Sequence, residues 1–265
     1  MSMLWYRIRT FVRHYLTAWN TSGEAIHSPY LFYLVEKIIH DDNAYYAWQP
    51  IEQIRHAMLH APKVVHTTDF GVGTSATKLV SDIARRELES PRVGQFLFRL
   101  VQFLSHEAER PLNIVELGTS LGVTTAYLAS PSSQNHVLTL EGSGEVADVA
   151  CANFKKLKIN NISLVRGNID DTLVPSLKAL PQVDVAYLDA NHTYEATMRY
   201  VDILSAHAHE KTVLVLDDIY YSPAMTRAWQ EIMDRADVTT TMDLYHVGLV
   251  FFDPHYLKRH YRIRL

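Results

Sequence analysis

The sequence predicts an α/β fold, a mostly parallel sheet covered by helices on both faces, preceded by a helical N-terminal elaboration. Three observations carry this. Ile114 to Thr125 reads as an apolar strand, a tight turn containing Gly118 and Gly122, and the start of a helix. From residue 113 onward, short apolar runs alternate with stretches of helical periodicity, the pattern of parallel strands joined by crossover helices. Two β-rich runs, Thr239 to Tyr245 and Val247 to Phe252, then lie too close together for a crossover and predict an antiparallel hairpin at the sheet edge.

Taken in order, residues 1 to about 60 read as helices. In the first, Trp5, Ile8, Phe11, Val12, Tyr15, Leu16 and Trp19 share one face, while Arg7, Arg9, Arg13 and His14 fall elsewhere. That stripe predicts a helix docked on its own domain or on a second subunit, as in a homodimer. Contact with an anionic membrane is the alternative, since basic residues oppose aromatic ones. Ser28-Pro29 reads as an N-cap followed by proline at the first helical position, opening a helix through Leu31, Leu34, Val35 and Ile38. Pro50 opens a third helix.

Between 61 and 92 the periodicity weakens. A second glycine pair, Gly71 and Gly73, is followed by a helical-looking stretch from Thr77 to Glu89, with no strand ending in an acid, so the segment reads as a lid-like loop. Gly94-Gln95 then starts a helix whose Phe96, Leu97, Leu100, Val101 and Leu104 pack under the sheet. The expected division is therefore an elaboration over 1–92 and a cofactor-binding domain over 93–265. In the latter, strands are expected at 113–117, 136–141, 162–166, 183–188 and 212–216. Helices are expected from Glu145 to Leu157, Tyr194 to Ala208 and Met225 to Arg235.

Composition narrows the function classes. With 265 residues, 20% charged and a net charge of −4, the chain lacks the basic excess of a general nucleic-acid binder. The single Cys151 excludes an internal disulfide and a cysteine metal cluster. No apolar stretch reaches the roughly 18 residues needed to span a bilayer, and no signal-peptide cleavage pattern is visible, so a cytoplasmic protein is expected.

The chemistry concentrates at strand ends. Glycine permits the dihedrals of a sharp strand-to-helix turn and lets backbone approach a ligand closely. A dinucleotide site would want a third glycine, whereas Thr124 and Thr125 follow Gly122, and Glu116 in the strand suits a ligand with a positive end better than a diphosphate. Glu141 ends the next strand 23 residues after Gly118, close to the spacing of roughly 20 at which an acid meets ribose hydroxyls. Farther on, Asp189 ends the fourth strand, His192 follows it, and the pair Asp217-Asp218 ends the fifth. Three carboxylates at the carboxyl ends of neighbouring strands suit Mg²⁺ or another hard divalent ion, with His192 as a base.

These residues together resemble the class I S-adenosylmethionine-dependent methyltransferases, over about 93 to 253. The resemblance rests on Glu116-Leu117-Gly118-Thr119-Ser120-Leu121-Gly122, on Glu141, and on Gly167-Asn168-Ile169-Asp170. It implies a Rossmann-like sheet of seven strands with the last one antiparallel. It also implies that Glu116 and the loop with Gly118, Thr119, Ser120 and Gly122 hold the methionine part, Glu141 the ribose, and Asn168 with Ile169 the adenine. Many members carry aspartate where Asn168 stands, and an amide oxygen accepts the same hydrogen bond.

Asp189-Ala190-Asn191-His192 with Asp217-Asp218 is similar to metal-dependent O-methyltransferases, including the sugar-modifying branch of antibiotic pathways. The catechol branch, with asparagine where Asp218 stands, is less similar. The expectation is divalent-metal-assisted O-methylation of a small molecule, with Asp189, Asp217 and Asp218 as ligands, Asp189 also near the cofactor, and His192 as base. A nicotinamide-dependent oxidoreductase and a non-catalytic module with the same fold remain the alternatives.

Overall fold

The structure is a computed structural model that describes residues 3–69 and 74–265. The chain forms two compact units, one of residues 43–181 and one of residues 1–42 with 182–265.

The second of these opens with α1 (Met3–Thr17) and α2 (Pro29–Leu34), the latter continuing into a π-helical turn over Val35–Ile39. The Ser28 hydroxyl accepts the Leu31 N–H at 3.3 Å and Pro29 occupies the first turn, as the sequence suggests. Helix α1 departs from expectation. Its buried residues are Tyr6 and His14, whereas the apolar stripe is exposed. Tyr6 donates to Thr226 Oγ1 at 2.7 Å and His14 Nε2 lies 3.0 Å from Asp243 Oδ1, so polar anchors fix the helix within its unit.

The unit of residues 43–181 contains α3 (Trp48–Leu59), β1 (Val64–Asp69), β2 (Thr74–Leu79), α4 (Val80–Glu87) and α5 (Pro91–Ala108). It continues with β3 (Asn113–Leu117), α6 (Val123–Ala129), β4 (His136–Glu141), α7 (Gly144–Leu157), β5 (Ile162–Arg166) and α8 (Ile169–Leu177). Strands β3, β4 and β5 pair in parallel, with Glu116 opposite Thr139 and Glu141 opposite Arg166. Near-continuous burial of β3 and β4 accounts for their clear apolar runs.

Where a lid-like loop is expected, β1 and β2 instead form an antiparallel pair, Val64 opposite Leu79, followed by α4. The expected turn at Gly71 and Gly73 lies outside the described residues. Helix α5 starts earlier than Gly94, because the Ser90 hydroxyl caps it by accepting the Val93 N–H at 3.3 Å and Pro91 fits its first turn. Gly94 has a packing role: a β-carbon there would lie 2.6 Å from the Tyr127 ring. Trp48, Ile51, Val65, Ile83 and Phe98 share one core with Leu121, Val123 and Tyr127, so the elements before β3 pack against the glycine turn and α6.

The remaining elements, in the unit that carries α1, are β6 (Val183–Leu188), α9 (Tyr194–Ser205), β7 (Ala208–Asp217) and α10 (Pro223–Asp234). Three short strands close the chain, β8 (Thr240–Asp243), β9 (Val247–Phe251) and β10 (Arg259–Arg262). Strands β6 and β7 are parallel and β9 runs antiparallel to both β7 and β8. The expected hairpin forms, but it is not the edge, since β10 pairs in parallel with β8 beyond it. The fold class is the α/β arrangement expected, mostly parallel with one antiparallel strand. Among the described residues, no helix is long and apolar enough to cross a membrane.

Candidate active site

The strand-to-helix turn after β3 is built as its glycines require. Gly118 and Gly122 have φ of 97° and 78°, in the left-handed region that side chains disfavour, and Ser120 between them stands at 46°. A β-carbon on Gly122 would also meet the Phe154 ring at 2.5 Å. The Gly118 N–H donates to the Leu140 carbonyl at 3.0 Å, which pins the turn to the end of β4.

Beneath this turn, Glu116 is fully buried. Its Oε2 accepts from the hydroxyls of Thr125 at 2.5 Å and Thr139 at 2.6 Å, and Thr119 Oγ1 lies 2.6 Å from Thr139 Oγ1. Charge-assisted hydrogen bonds of this kind offset the cost of burying a carboxylate. Sequence reasoning found Glu116 but missed Thr139. The only signal was its register opposite Glu116, which one strand alone does not reveal.

Glu141 closes the other side of the turn. Its Oε2 accepts the Ser120 N–H and its Oε1 the Ser143 N–H, both at 2.8 Å. These bonds fix the carboxylate's position while each oxygen retains acceptor capacity for a ligand hydroxyl. The β1–β2 pair is tied to the same region. Ser143 Oγ donates to the His66 carbonyl at 2.9 Å, and Glu145 Oε2 accepts the His66 N–H at 2.8 Å. That N–H is the main cause holding the Glu145 carboxyl below the usual range.

Asn168 and Ile169 follow β5 at the start of α8. Asn168 Oδ1 accepts the Asp170 N–H at 3.1 Å as a helix cap, a local use that its sequence position before Ile169-Asp170-Asp171 permits. Ile169 is buried beside it in the chain. Glu116, Gly118, Thr119, Ser120, Gly122 and Glu141 are thus brought together by backbone and side-chain hydrogen bonds around one turn, and Asn168 follows Gly167, whose N–H donates to the Glu141 carbonyl at 3.0 Å.

In the other unit, Asp189 and His192 follow β6. His192 Nε2 approaches Asp189 Oδ1 to 3.4 Å, and the Tyr221 ring lies 5.5 Å from the imidazole at a shallow 34°. Asn191 between them stands at a φ of 53°, which asparagine tolerates better than most residues. Asp217 ends β7 fully within the core, and Asp218 follows at a φ of 52°. Burial pushes the Asp218 carboxyl up; His192 counteracts this and Asp189 reinforces it. Tyr221 was not foreseen, its aromatic ring giving no signal among so many tyrosines.

Asp189 follows β6, Asp217 ends β7 and Asp218 follows it, so the expected metal ligands lie at the ends of two paired strands. Among the described residues, no group of three or more histidine, cysteine, aspartate or glutamate side chains is disposed to hold a metal. Asp189 pairs with His192, and its charge adds to the burial that pushes the Asp218 carboxyl up.

Residues 115–219 match the family described as "Methyltransferase domain". This segment is similar to that methyltransferase family. It holds the glycine turn, Glu116, Glu141, Asp189, His192, Asp217 and Asp218. Solved structures of methyltransferases share the fold of this chain. The O-methyltransferase from Bacillus cereus, solved in complex with SAH, is 19% identical, with 83% of this chain and 95% of that one covered and a TM-score of 0.56. The O-methyltransferase TomG from Streptomyces achromogenes, involved in tomaymycin synthesis and solved with SAM, is 14% identical, with 84% and 94% covered and a TM-score of 0.57. The SAH-bound methyltransferase PaMTH1 from Podospora anserina is 14% identical, with 80% and 90% covered and a TM-score of 0.58. No curated protein matches the chain in sequence. The matched segment runs from within β3 to just past β7, and the solved structures cover elements beyond it as well.

Proposed function

We propose that the protein transfers the methyl group of S-adenosylmethionine to a hydroxyl oxygen of a small molecule, with His192 as general base. On this reading Glu116 and the turn of Gly118, Thr119, Ser120 and Gly122 hold the methionine part of the donor. Glu141 binds the ribose and Asn168 with Ile169 the adenine, and Asp189 serves as a further donor-binding residue. The methyltransferase domain and the donor or its product in the structures of similar fold support the choice of donor.

The observation that carries the oxygen acceptor is the 3.4 Å approach of His192 Nε2 to Asp189 Oδ1. A carboxylate there favours the tautomer with hydrogen on Nε2, which makes Nδ1 the basic nitrogen. In the transfer, the sulfur–methyl bond breaks as the oxygen–methyl bond forms in line, and the hydroxyl proton passes to Nδ1. The sulfonium becomes a neutral thioether, and the new imidazolium is balanced by Asp189. Divalent-metal assistance, read from the sequence, would draw on Asp189, Asp217 and Asp218 and would lower the pKa of the acceptor hydroxyl; none of the steps above depends on it.

The test is transfer of labelled methyl from S-adenosylmethionine to a panel of hydroxylated small molecules, followed by location of the label. Label in a new ether supports the reading. Label on nitrogen or carbon, with none on oxygen, overturns it.

A further inference from the structure

We propose that the outer face of α1, with the basic C-terminal strand beside it, docks the protein on an anionic phospholipid surface. Leu4, Trp5, Ile8, Val12, Leu16 and Trp19 are all exposed, Leu16 to 75% and Trp19 to 80%. A helix at the surface of a globular unit normally turns such a stripe inward. Here it cannot, because the opposite side is held. Tyr6 bonds Thr226, buried His14 pairs with buried Asp243, and Tyr245 donates to the Arg7 carbonyl at 2.8 Å. A contiguous apolar and aromatic face fixed outward in this way marks an interaction surface.

Charge identifies the occupant. Residues 1–23 and 257–265 contain seven of the 25 lysines and arginines and none of the 29 acids, although the chain as a whole is acidic. The two segments are neighbours. Arg264 sits 4.0 Å over the Tyr15 ring and donates to the Tyr15 carbonyl, and Arg262 donates to Thr17 Oγ1 at 2.6 Å. A second copy seated on this face would set like charges against each other, which disfavours that pairing. Anionic headgroups complement it instead. Helical spacing puts Arg9 on one margin of the apolar stripe, where its stem can lie along it while the guanidinium group reaches phosphate; Arg7, on the other margin, lies over the Tyr221 ring. This is the arrangement of a helix lying in the plane of a membrane interface, with aromatic residues at headgroup depth.

The test uses the full chain with vesicles of phosphatidylcholine alone and of equimolar phosphatidylcholine and phosphatidylserine. Co-sedimentation and tryptophan emission are read together, because Trp48 and Trp229 are buried and a shift on binding reports Trp5 and Trp19. Expected are binding to the anionic vesicles with blue-shifted emission, weakening with salt, and little binding to the neutral ones. The double variant L4E/L16E, at exposed positions, and the double variant R9Q/R13Q should each weaken binding by about tenfold or more while melting as the parent does. Equal binding to both vesicles overturns the anionic assignment. Failure to bind either, with self-association that L16E abolishes, overturns the proposal in favour of a second copy.

Discussion

Glu141 accepts the Ser120 N–H at 2.8 Å, so the acid at the end of β4 is fastened to the middle of the glycine turn after β3. Neither residue is a neighbour of the other in sequence, and the bond is what gives the turn a carboxylate at a fixed distance. If that carboxylate holds the donor's ribose, E141A loses a charge-assisted hydrogen bond and frees the turn at Ser120. Affinity for S-adenosylmethionine should fall by roughly 1.5–3 kcal/mol in calorimetry. Unchanged affinity would show that Glu141 serves the turn alone.

Gly122 is constrained twice, by its φ of 78° and by Phe154 at 2.5 Å from where a β-carbon would be. G122A should therefore lower stability by about 1–3 kcal/mol and weaken donor binding, because backbone strain and displacement of Phe154 add. Chemical denaturation measures the first effect and calorimetry the second. A variant as stable as the parent contradicts the geometry.

Much of this was legible in the sequence, for identifiable reasons. Strands β3, β4 and β6 are largely buried on both faces, so Ile114-Val115 and Val137-Leu138 stand out as apolar runs, and Glu116 and Glu141 are conspicuous within or beside them. The β1–β2 pair was not legible, because Val65 is buried while Val64, His66 and Thr68 on the same strand are exposed. Strand β10 hid in a basic stretch in which only Tyr261 turns inward. At the site, Thr139 beneath Glu116 and Tyr221 beside His192 come from other elements, and contacts of that kind follow from register and packing, which the order of residues does not display.

Asp218 makes a pH-dependent prediction. Burial raises its folded pKa above the unfolded value of about 3.9. The native state then binds this proton more tightly than the unfolded state, so stability is lost as pH rises from the unfolded pKa through the folded one. D218N removes that loss, and asparagine suits the φ of 52°. Thermal unfolding should show D218N more stable than the parent at neutral pH, with the gain shrinking as the solution is acidified. A gain of the same size at every pH would assign it to something other than ionisation.

Asp243 has the opposite sign. Burial opposes its ionisation, but the hydrogen bond and charge of His14, with the Tyr220 hydroxyl at 2.6 Å, hold its carboxyl below the usual range. Its contribution is present above about pH 3.9 and is lost as pH falls through the lower folded value. Replacing it as D243A leaves His14 and Arg262 facing an emptied position, and should cost about 3–5 kcal/mol in denaturation at neutral pH. A cost under about 1 kcal/mol would mean that the pair does not anchor α1.

The roles of His192 and of a metal can be separated kinetically once an acceptor is in hand. H192A should lower turnover by about 10²–10⁴-fold with donor affinity intact. If His192 suffices as base, chelator should leave the parent's rate unchanged, in keeping with the lack of a group of three or more metal-ligating side chains among the described residues. Loss of rate with chelator and its recovery with Mg²⁺ would show that Asp189, Asp217 and Asp218 regroup around an ion.

The central claim is that the glycine turn, Glu116 and Glu141 bind a sulfonium donor and not a dinucleotide. Calorimetric titration of the full chain with S-adenosylmethionine, and separately with NAD, decides it most directly. The account predicts one-site binding of S-adenosylmethionine and no heat with NAD. Binding of NAD without S-adenosylmethionine would contradict it.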